Sequence, residues 1–325
     1  MRFAIYGAGA IGAFLGAKLS LAGEDVTLIA RSTLQAMRAG VRVRSAQGEV
    51  VAHPAVTGDP RTIGPVDYVF LTVKAQALAQ IAPQIGPMLG PGTAIVSAQN
   101  GIPWWYFQRL SGSMAGARLE SLDPGGVITS AIDPARIIGC IVYPAAEMPE
   151  SGVVQHIEGD RFSIGELDGS TTERCRSLSR SLIKAGFKCP IRPDIRRDLW
   201  VKLLGNMAFN PISALTRATM VEIATHPQAG AVARAMMAEA DAVARALGVE
   251  VPVTLEQRLA GAEKVGRHKT SMLLDVEAGK PLELDSIVGA VLELGERLNI
   301  PMPYTRVVYA CAKLLDQATT QPAKG

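Results

Sequence analysis

Over its first two-thirds the chain alternates short apolar runs with helical stretches, and after Pro190 it turns almost wholly helical. Phe3–Tyr6 reads as a strand, Ala10–Ala22 as a helix and Asp25–Ile29 as a second strand. Val41–Arg44 and Val50–Val56 read as a hairpin around Gln47-Gly48. Tyr68–Val73 and Thr93–Ser97 are unbroken apolar runs, the pattern of parallel strands buried on both faces. Further strands are expected at Ile137–Tyr143, Val153–Ile157 and Phe162–Gly165, and the capping-box spacing of Ser170-Thr171-Thr172-Glu173 predicts a helix from there to Ala185.

From Asp194 onward the periodicity is helical, punctuated by Pro211, Pro227, Pro252, Gly279-Lys280-Pro281 and Pro301-Met302-Pro303. Asp194 is the expected N-cap of a helix over Ile195–Asn210, which Pro211 should end or kink. Gln228–Leu247 is amphipathic and closed by Gly248, Asp285–Leu298 and Tyr304–Gln317 look similar, and the tail Thr319–Gly325 is expected to fray. The fold class is therefore α/β: a doubly wound parallel sheet over residues 1–193, then an all-α domain over residues 194–325.

Composition supports a globular chain of two domains: 325 residues, 48% hydrophobic and 19% charged. The net charge of +3 is spread along the chain, which argues against nucleic acid or a membrane surface as partner. The longest charge-free apolar run, Phe3–Ala17, is too short for a membrane span, and its glycines would weaken a signal-peptide helix. Cys140, Cys175, Cys189 and Cys311 show no metal or disulfide spacing, which points to a reducing, cytoplasmic setting. His53, His156, His226 and His268 are scattered, so no metal is assigned.

Gly7-Ala8-Gly9-Ala10-Ile11-Gly12 follows a strand and opens a helix. In that context the first glycine allows a tight turn, the second lets backbone amides approach a pyrophosphate, and the third lets helix pack on strand. The competing reading is a glycine-rich packing turn. An NAD site wants a carboxylate at the end of the second strand. Here that strand ends in Ala30-Arg31-Ser32, with Glu24 and Asp25 at the opposite end. The Arg31 guanidinium suits the 2′-phosphate of NADP(H), unless it is simply solvated. Lys74 and Asn100 follow the next two parallel strands, where ligands sit in doubly wound sheets.

Within the second domain, Lys202, Asn206 and Asn210 recur at i, i+4 and i+8, so they project from one helical face, with Leu199, Leu203 and Met207 on the neighbouring docking stripe. A lone lysine on a helix is ordinarily a solvated charge. Two in-line asparagines, poor helix formers, favour a ladder of one ammonium and two amides for the oxygens of a keto acid. Ser271, Asp275, Glu277, Glu283 and Asp285 form an acidic second cluster, most of which reads as helix caps.

Together the glycine loop with Arg31, Val73-Lys74-Ala75, Gln99-Asn100-Gly101, Trp200–Asn206 with Asn210-Pro211, and Ser271-Met272 with Glu283-Leu284-Asp285 resemble the ketopantoate reductases over residues 1 to about 310. The resemblance implies a Rossmann domain followed by a helical domain, an active site in the cleft between them, and NADPH-dependent reduction of 2-dehydropantoate to (R)-pantoate in pantothenate and coenzyme A biosynthesis. It makes Lys202 the proton donor. Asn206, Asn210 and Ser271 would hold substrate, Asn100 would touch substrate and cofactor, and Lys74 and Glu283 would help bind cofactor or close the site. The chemistry is consistent: hydride addition to a ketone builds charge on oxygen, and a lysine, with a free pKa of about 10.4, is an available acid at neutral pH.

Three features depart from the pattern. Ile102-Pro103-Trp104-Trp105-Tyr106-Phe107 is unusually aromatic, 118–138 reads as an added loop, and Thr216–Met220 lacks an amide. The Trp104-Trp105 pair reads as a dimer or domain-packing patch or as a substrate lid. The alternatives to 2-dehydropantoate are another branched or aromatic 2-oxo acid, or a non-catalytic NADP(H) sensor. Exposed faces on the C-terminal helices suggest a homodimer.

Overall fold

The computed structural model describes residues 1–320, with the backbone alone at residue 265. It contains two compact units: residues 1–99, 104–118 and 123–195 form the first, and residues 100–103, 119–122 and those from 196 onward form the second.

In the first unit the chain runs β1 (Arg2–Tyr6), α1 (Ala10–Leu21), β2 (Asp25–Ile29), α2 (Leu34–Arg38), β3 (Val41–Ser45), β4 (Gly48–Ala52), β5 (Ala55–Thr57), β6 (Val66–Leu71), α3 (Leu78–Ile81), β7 (Leu89–Ser97), α4 (Val127–Ala131), β8 (Ile137–Val142), β9 (Ala145–Glu150), β10 (Val153–Glu158), β11 (Phe162–Glu166) and α5 (Glu173–Lys184). The main sheet has the order β11-β8-β7-β6-β1-β2-β5. Its strands are parallel except β11, which runs antiparallel to β8. The apolar runs explain this layer: β8 is buried throughout, and β6 and β7 are buried over their last four and five residues. A smaller sheet, β4-β3-β10-β9, packs on the other side of α1. Covered on both sides, α1 buries an unbroken stretch from Gly12 to Ala17. Phe14 stacks on His156 at 4.5 Å between ring centroids.

Several expectations need correction. The single strand expected over Val50–Val56 is two strands in different sheets, because Pro54 has no N–H for a ladder. The short helix α2 carried no periodic signal, and β9, with Glu147 and Pro149, lacks apolar alternation; it sits at a sheet edge where proline is tolerated. The cap of α5 is Thr172 rather than Ser170: Thr172 accepts from Cys175 N at 3.3 Å, while the Ser170 hydroxyl donates to Asp168. Of the readings of the aromatic run, packing within a domain is the one its burial fits, not a lid. Trp104, Trp105, Tyr106 and Phe107 are buried in the first unit, where Trp105 lies so close to Gly139 of β8 that a Cβ there would stand 2.8 Å from its ring. The stretch 118–138, read as an added loop, contains α4. The buried Asp123 carboxylate accepts from Ile128 N, Thr129 N and the Thr129 hydroxyl and so anchors α4, and the segment ends in β8.

The second unit holds α6 (Ile195–Thr216, whose first residue belongs to the first unit), α7 (Met220–Thr225), α8 (Pro227–Ala246), α9 (Leu255–Val265), α10 (Ser271–Glu277), a π turn over Asp285–Gly289, α11 (Ala290–Arg297) and α12 (Pro303–Thr320). Pro211 does not end α6. A proline forfeits one helical hydrogen bond, and residues Asn210–Ala214 are all buried, so packing carries the helix through it. Thr319 and Thr320 continue α12 rather than fraying, and the remainder of the tail lies outside the described residues.

The end of β11 carries the most demanding ion pair of the first unit. Glu166, 2% exposed, accepts from Arg174 at 2.5 and 2.7 Å and from the Thr172 hydroxyl. Burial alone would raise its pKa, but the guanidinium and hydroxyl outweigh burial and hold it below the ordinary 4.5. Stability drawn from this carboxylate is therefore complete above pH 4.5 and lost as pH falls through the lowered value. Glu166→Gln should lower unfolding free energy at pH 7 by about 2–3 kcal/mol, less than the ~3–5 of a fully buried pair because Arg174 reaches water. In urea titrations the gap from wild type should narrow as pH falls below 4.5 and through the lowered pKa; a gap independent of pH would contradict the assignment.

Candidate active site

Two constellations carry chemistry, one in each unit. In the first, β1 ends at Tyr6 and the glycine loop begins. Gly7 adopts φ +110°, and a Cβ there would lie 2.7 Å from the backbone of Val73. Gly12 is more constrained, since its Cβ would stand 2.1 Å from the Gly7 carbonyl oxygen. The Thr72 hydroxyl closes the turn by donating to Gly7 O at 2.8 Å. Gly9, the N-cap of α1, faces open space, and the first turn of the helix holds no acidic residue. The Gly7 and Ala8 amides donate to Ile29 O, and the first bond of the helix runs from Ala13 N to Gly9 O, so the amides from Gly9 to Gly12 form a cradle with space at its mouth. That arrangement fits the pyrophosphate of a nicotinamide dinucleotide, with helix-terminal amides supplying the partial positive charge.

The sheet order places this loop where β1 lies between β2 and β6, the switch point of a doubly wound sheet. Arg31 follows the carboxyl end of β2 and is exposed; its guanidinium donates to Gln80 Oε1 at 3.2 Å. The acidic residues of this strand lie at its other end, where Asp25 pairs with Arg2 and Glu24 with the chain's amino terminus. Tyr6, whose phenol pKa is raised by burial, is close enough to Arg31 for that charge to oppose the rise. Lys74 follows β6 as the N-cap of a short 3₁₀ turn over Ala75–Ala77.

In the second unit the structure joins three of the expected residues directly. The Lys202 ammonium donates to Asn100 Oδ1 at 2.8 Å, and Asn100 Nδ2 donates to Glu283 Oε2 at 3.3 Å. Ammonium, amide and carboxylate thus form one chain of hydrogen bonds from residues separated by 102 and 183 positions. Asn100 reaches this cluster because residues 100–103 belong to the second unit, although they directly follow the end of β7. The segment is pinned to the π turn: Ile102 N donates to Ser286 O at 2.7 Å, and Gly101 at φ +85° leaves only 2.2 Å between that oxygen and a would-be Cβ. The wider winding of a π turn frees carbonyls from the helical ladder, and one of them holds Asn100 in place.

Asn206 and Asn210 extend the Lys202 face. Asn206 is half-buried and its amide makes no side-chain hydrogen bond. Asn210 is 4% exposed, and its Nδ2 has no partner, an orphaned donor aligned with the ammonium. Ser271 opens α10 behind the N-cap Thr270 and is exposed; no hydrogen bond links it to the cluster.

Sequence reasoning missed two supports. Arg258 of α9 donates to the Lys202 carbonyl oxygen at 3.3 Å, and its guanidinium lies against Gly205, where a Cβ would stand 2.8 Å away. A glycine inside α6, costly for a helix, was the available signal. Asp285, read as a helix cap, instead accepts from the Tyr309 hydroxyl at 2.6 Å and from Lys313 at 3.2 Å, tying α12 to the π turn. Burial and then Asp285 push the Tyr309 phenol pKa up. Within the second unit, Glu293 of α11 accepts from Glu120 N, Ser121 N and the Ser121 hydroxyl, fixing residues 119–122 there.

Known proteins resemble this chain along most of its length. Residues 3–169 match the family model described as ketopantoate reductase PanE/ApbA, and residues 194–316 match the model of its C-terminal part. A 2-dehydropantoate 2-reductase from Mesorhizobium japonicum is 45% identical over 97% of this chain and 98% of its own length. The structure of a 2-dehydropantoate 2-reductase from Geobacter metallireducens superposes with a TM-score of 0.85 at 28% identity, covering 97% of this chain and 99% of that one. D-Mandelate dehydrogenase in complex with NADH and anilino(oxo)acetate shares the fold, with a TM-score of 0.84 at 19% identity over 98% of this chain and 99% of its own. Among the described residues no helix is long and apolar enough to cross a membrane. By both family models and by its curated relative, this chain belongs to the ketopantoate reductase family of oxidoreductases.

Proposed function

We propose that the chain reduces 2-dehydropantoate to (R)-pantoate with NADPH. The observation that carries this reading is the hydrogen-bonded line Lys202–Asn100–Glu283, with Asn206 and Asn210 following Lys202 along one helical face. NADPH supplies the hydride to C2 of the substrate. Gly7 and Ala8 shape the loop with their amides tied to Ile29 O, the backbone amides of Gly9, Ala10, Ile11 and Gly12 hold its pyrophosphate, Arg31 holds its 2′-phosphate, and Lys74 and Asn100 contact it farther along. Lys202 stabilises the charge that grows on the ketone oxygen and delivers a proton from Nζ. Asn100 holds that ammonium at one defined position, and Glu283 holds Asn100 by its amide. Asn206, Asn210 and Ser271 bind the oxygens of the substrate, and the orphaned Asn210 donor is the amide the bound substrate satisfies. Cytoplasmic residence and a homodimeric assembly complete the reading.

The decisive assay follows NADPH oxidation across 2-keto acids, with ketopantoate beside aromatic and other branched oxo acids. Preference for ketopantoate supports the proposal, preference for another oxo acid replaces the substrate, and no oxidation with any acid makes the chain an NADP(H)-binding sensor. Lys202→Ala should cut kcat by roughly 10²–10⁴ while NADPH affinity stays near wild type, as for a lost general acid. Unchanged turnover would remove Lys202 from the chemistry. Arg31→Ala should raise the KM for NADPH well beyond any change for NADH, and equal changes would refute a 2′-phosphate contact.

Asn210 separates stability from activity. Asn210→Leu removes an unpaired buried donor, a group whose burial costs roughly 1–3 kcal/mol, so the melting temperature should rise. The KM for the keto acid should rise with it while that for NADPH holds. A lower melting temperature with unchanged kinetics would place Asn210 in packing alone.

A further inference from the structure

We propose that the outward face of α12 is the surface on which a second copy of this chain docks, with the two helices crossing at Cys311. This deepens the homodimeric part of the reading above and rests on it. Tyr304, Val307, Cys311, Leu314 and Ala318 follow one another at alternating steps of three and four, the spacing of a helix seam that packs knobs into holes. All five are exposed, with Tyr304 at 52%, Val307 at 65% and Leu314 at 68%. The opposite face is the one the unit uses: Thr305 and Ala312 are fully buried.

The charges of α12 are drawn away from this stripe. Arg306 pairs with Glu296 at 2.8 Å, Lys313 with Asp285 at 3.2 Å, and Asp316 accepts from Leu282 N at 2.9 Å. The positions flanking the stripe are Val308, Ala310, Leu315 and Gln317, all uncharged. In a two-fold interface each patch meets its own copy, so any charge near the axis would face a like charge. A charge-free seam suits a second copy. Tyr304, Val307 and Leu314 alone expose on the order of 400 Å², the size of patches that mark contact surfaces, and about half of the roughly 800 Å² each partner gives to a stable interface. The smaller residues of the stripe and its flanks supply more. Tyr304 and Ala318 lie equally far on either side of Cys311, so an in-register two-fold sets Cys311 opposite its copy.

The test uses the native chain. A short bismaleimide joins two thiols by adding each sulfur across one maleimide double bond, with no oxidant. Cys140, Cys175 and Cys189 are buried, and burial pushes the thiols of Cys175 and Cys189 up to about 12, so Cys311 is the reactive one. The expected result is a two-chain mass by light scattering and a covalent dimer on denaturing gels. Cys311→Ser should lose the cross-link, and Val307→Lys with Leu314→Lys should give a single-chain mass with an unchanged circular dichroism spectrum. A two-chain mass without the cross-link, unaffected by the double lysine variant, overturns this surface and leaves the dimer standing. A single-chain mass for wild type overturns both. Ketopantoate reduction measured on the same samples reports the enzymatic reading separately.

Discussion

An ammonium on a helix can point in many directions, and a site built on Lys202 depends on holding it in one. The hydrogen bond from Nζ to Asn100 Oδ1 does this, and Glu283 anchors the amide from its other end. None of the three residues lies near another in sequence. Their meeting requires the chain to enter the second unit right after β7, turn at Gly101 where no side chain fits, and bond through Ile102 to a carbonyl that the π turn leaves available. Asp285, Tyr309 and Lys313 brace that turn from α12. The cluster is thus braced from α6, which carries Lys202, and from the π turn, to which the Asn100 segment is bonded.

The nucleotide loop is governed by a different constraint, close approach of backbone to backbone. Gly7 and Gly12 are required by the contacts a Cβ would make with Val73 and with the Gly7 carbonyl, whereas Gly9 is left open. Two glycines serve the fold, and the third leaves open space at the helix N-terminus. This division is why the motif could be read for function from its place between strand and helix.

The parts legible in the sequence were those with a local period or a local context. The parallel strands declared themselves as unbroken apolar runs, and Lys202, Asn206 and Asn210 by their spacing along one helix. Arg31 stood out because a carboxylate was missing from its end of β2. What was not legible depended on tertiary contact. Pro211 reads as a helix end, and only burial of its neighbours shows that the helix continues. Trp104 and Trp105 read equally as a lid or as a dimer or domain-packing patch, and only their burial and the slot at Gly139 show them to be core. The π turn has no sequence signature in this chain, and the Lys202–Asn100–Glu283 line spans too much sequence for any spacing rule. The apolar stripe of α12 was visible as periodicity, but which of its faces stays uncovered was not.

The central claim is that Asn100, besides its contacts with the ligands, positions the Lys202 ammonium. A double-mutant cycle on kcat/KM, with Asn100→Ala and Lys202→Ala alone and together, measures this coupling. The account predicts that removing the Asn100 amide costs far more in wild type than once Lys202 is gone, where only its ligand contacts are left to lose. Losses that simply add would show two independent residues and contradict it.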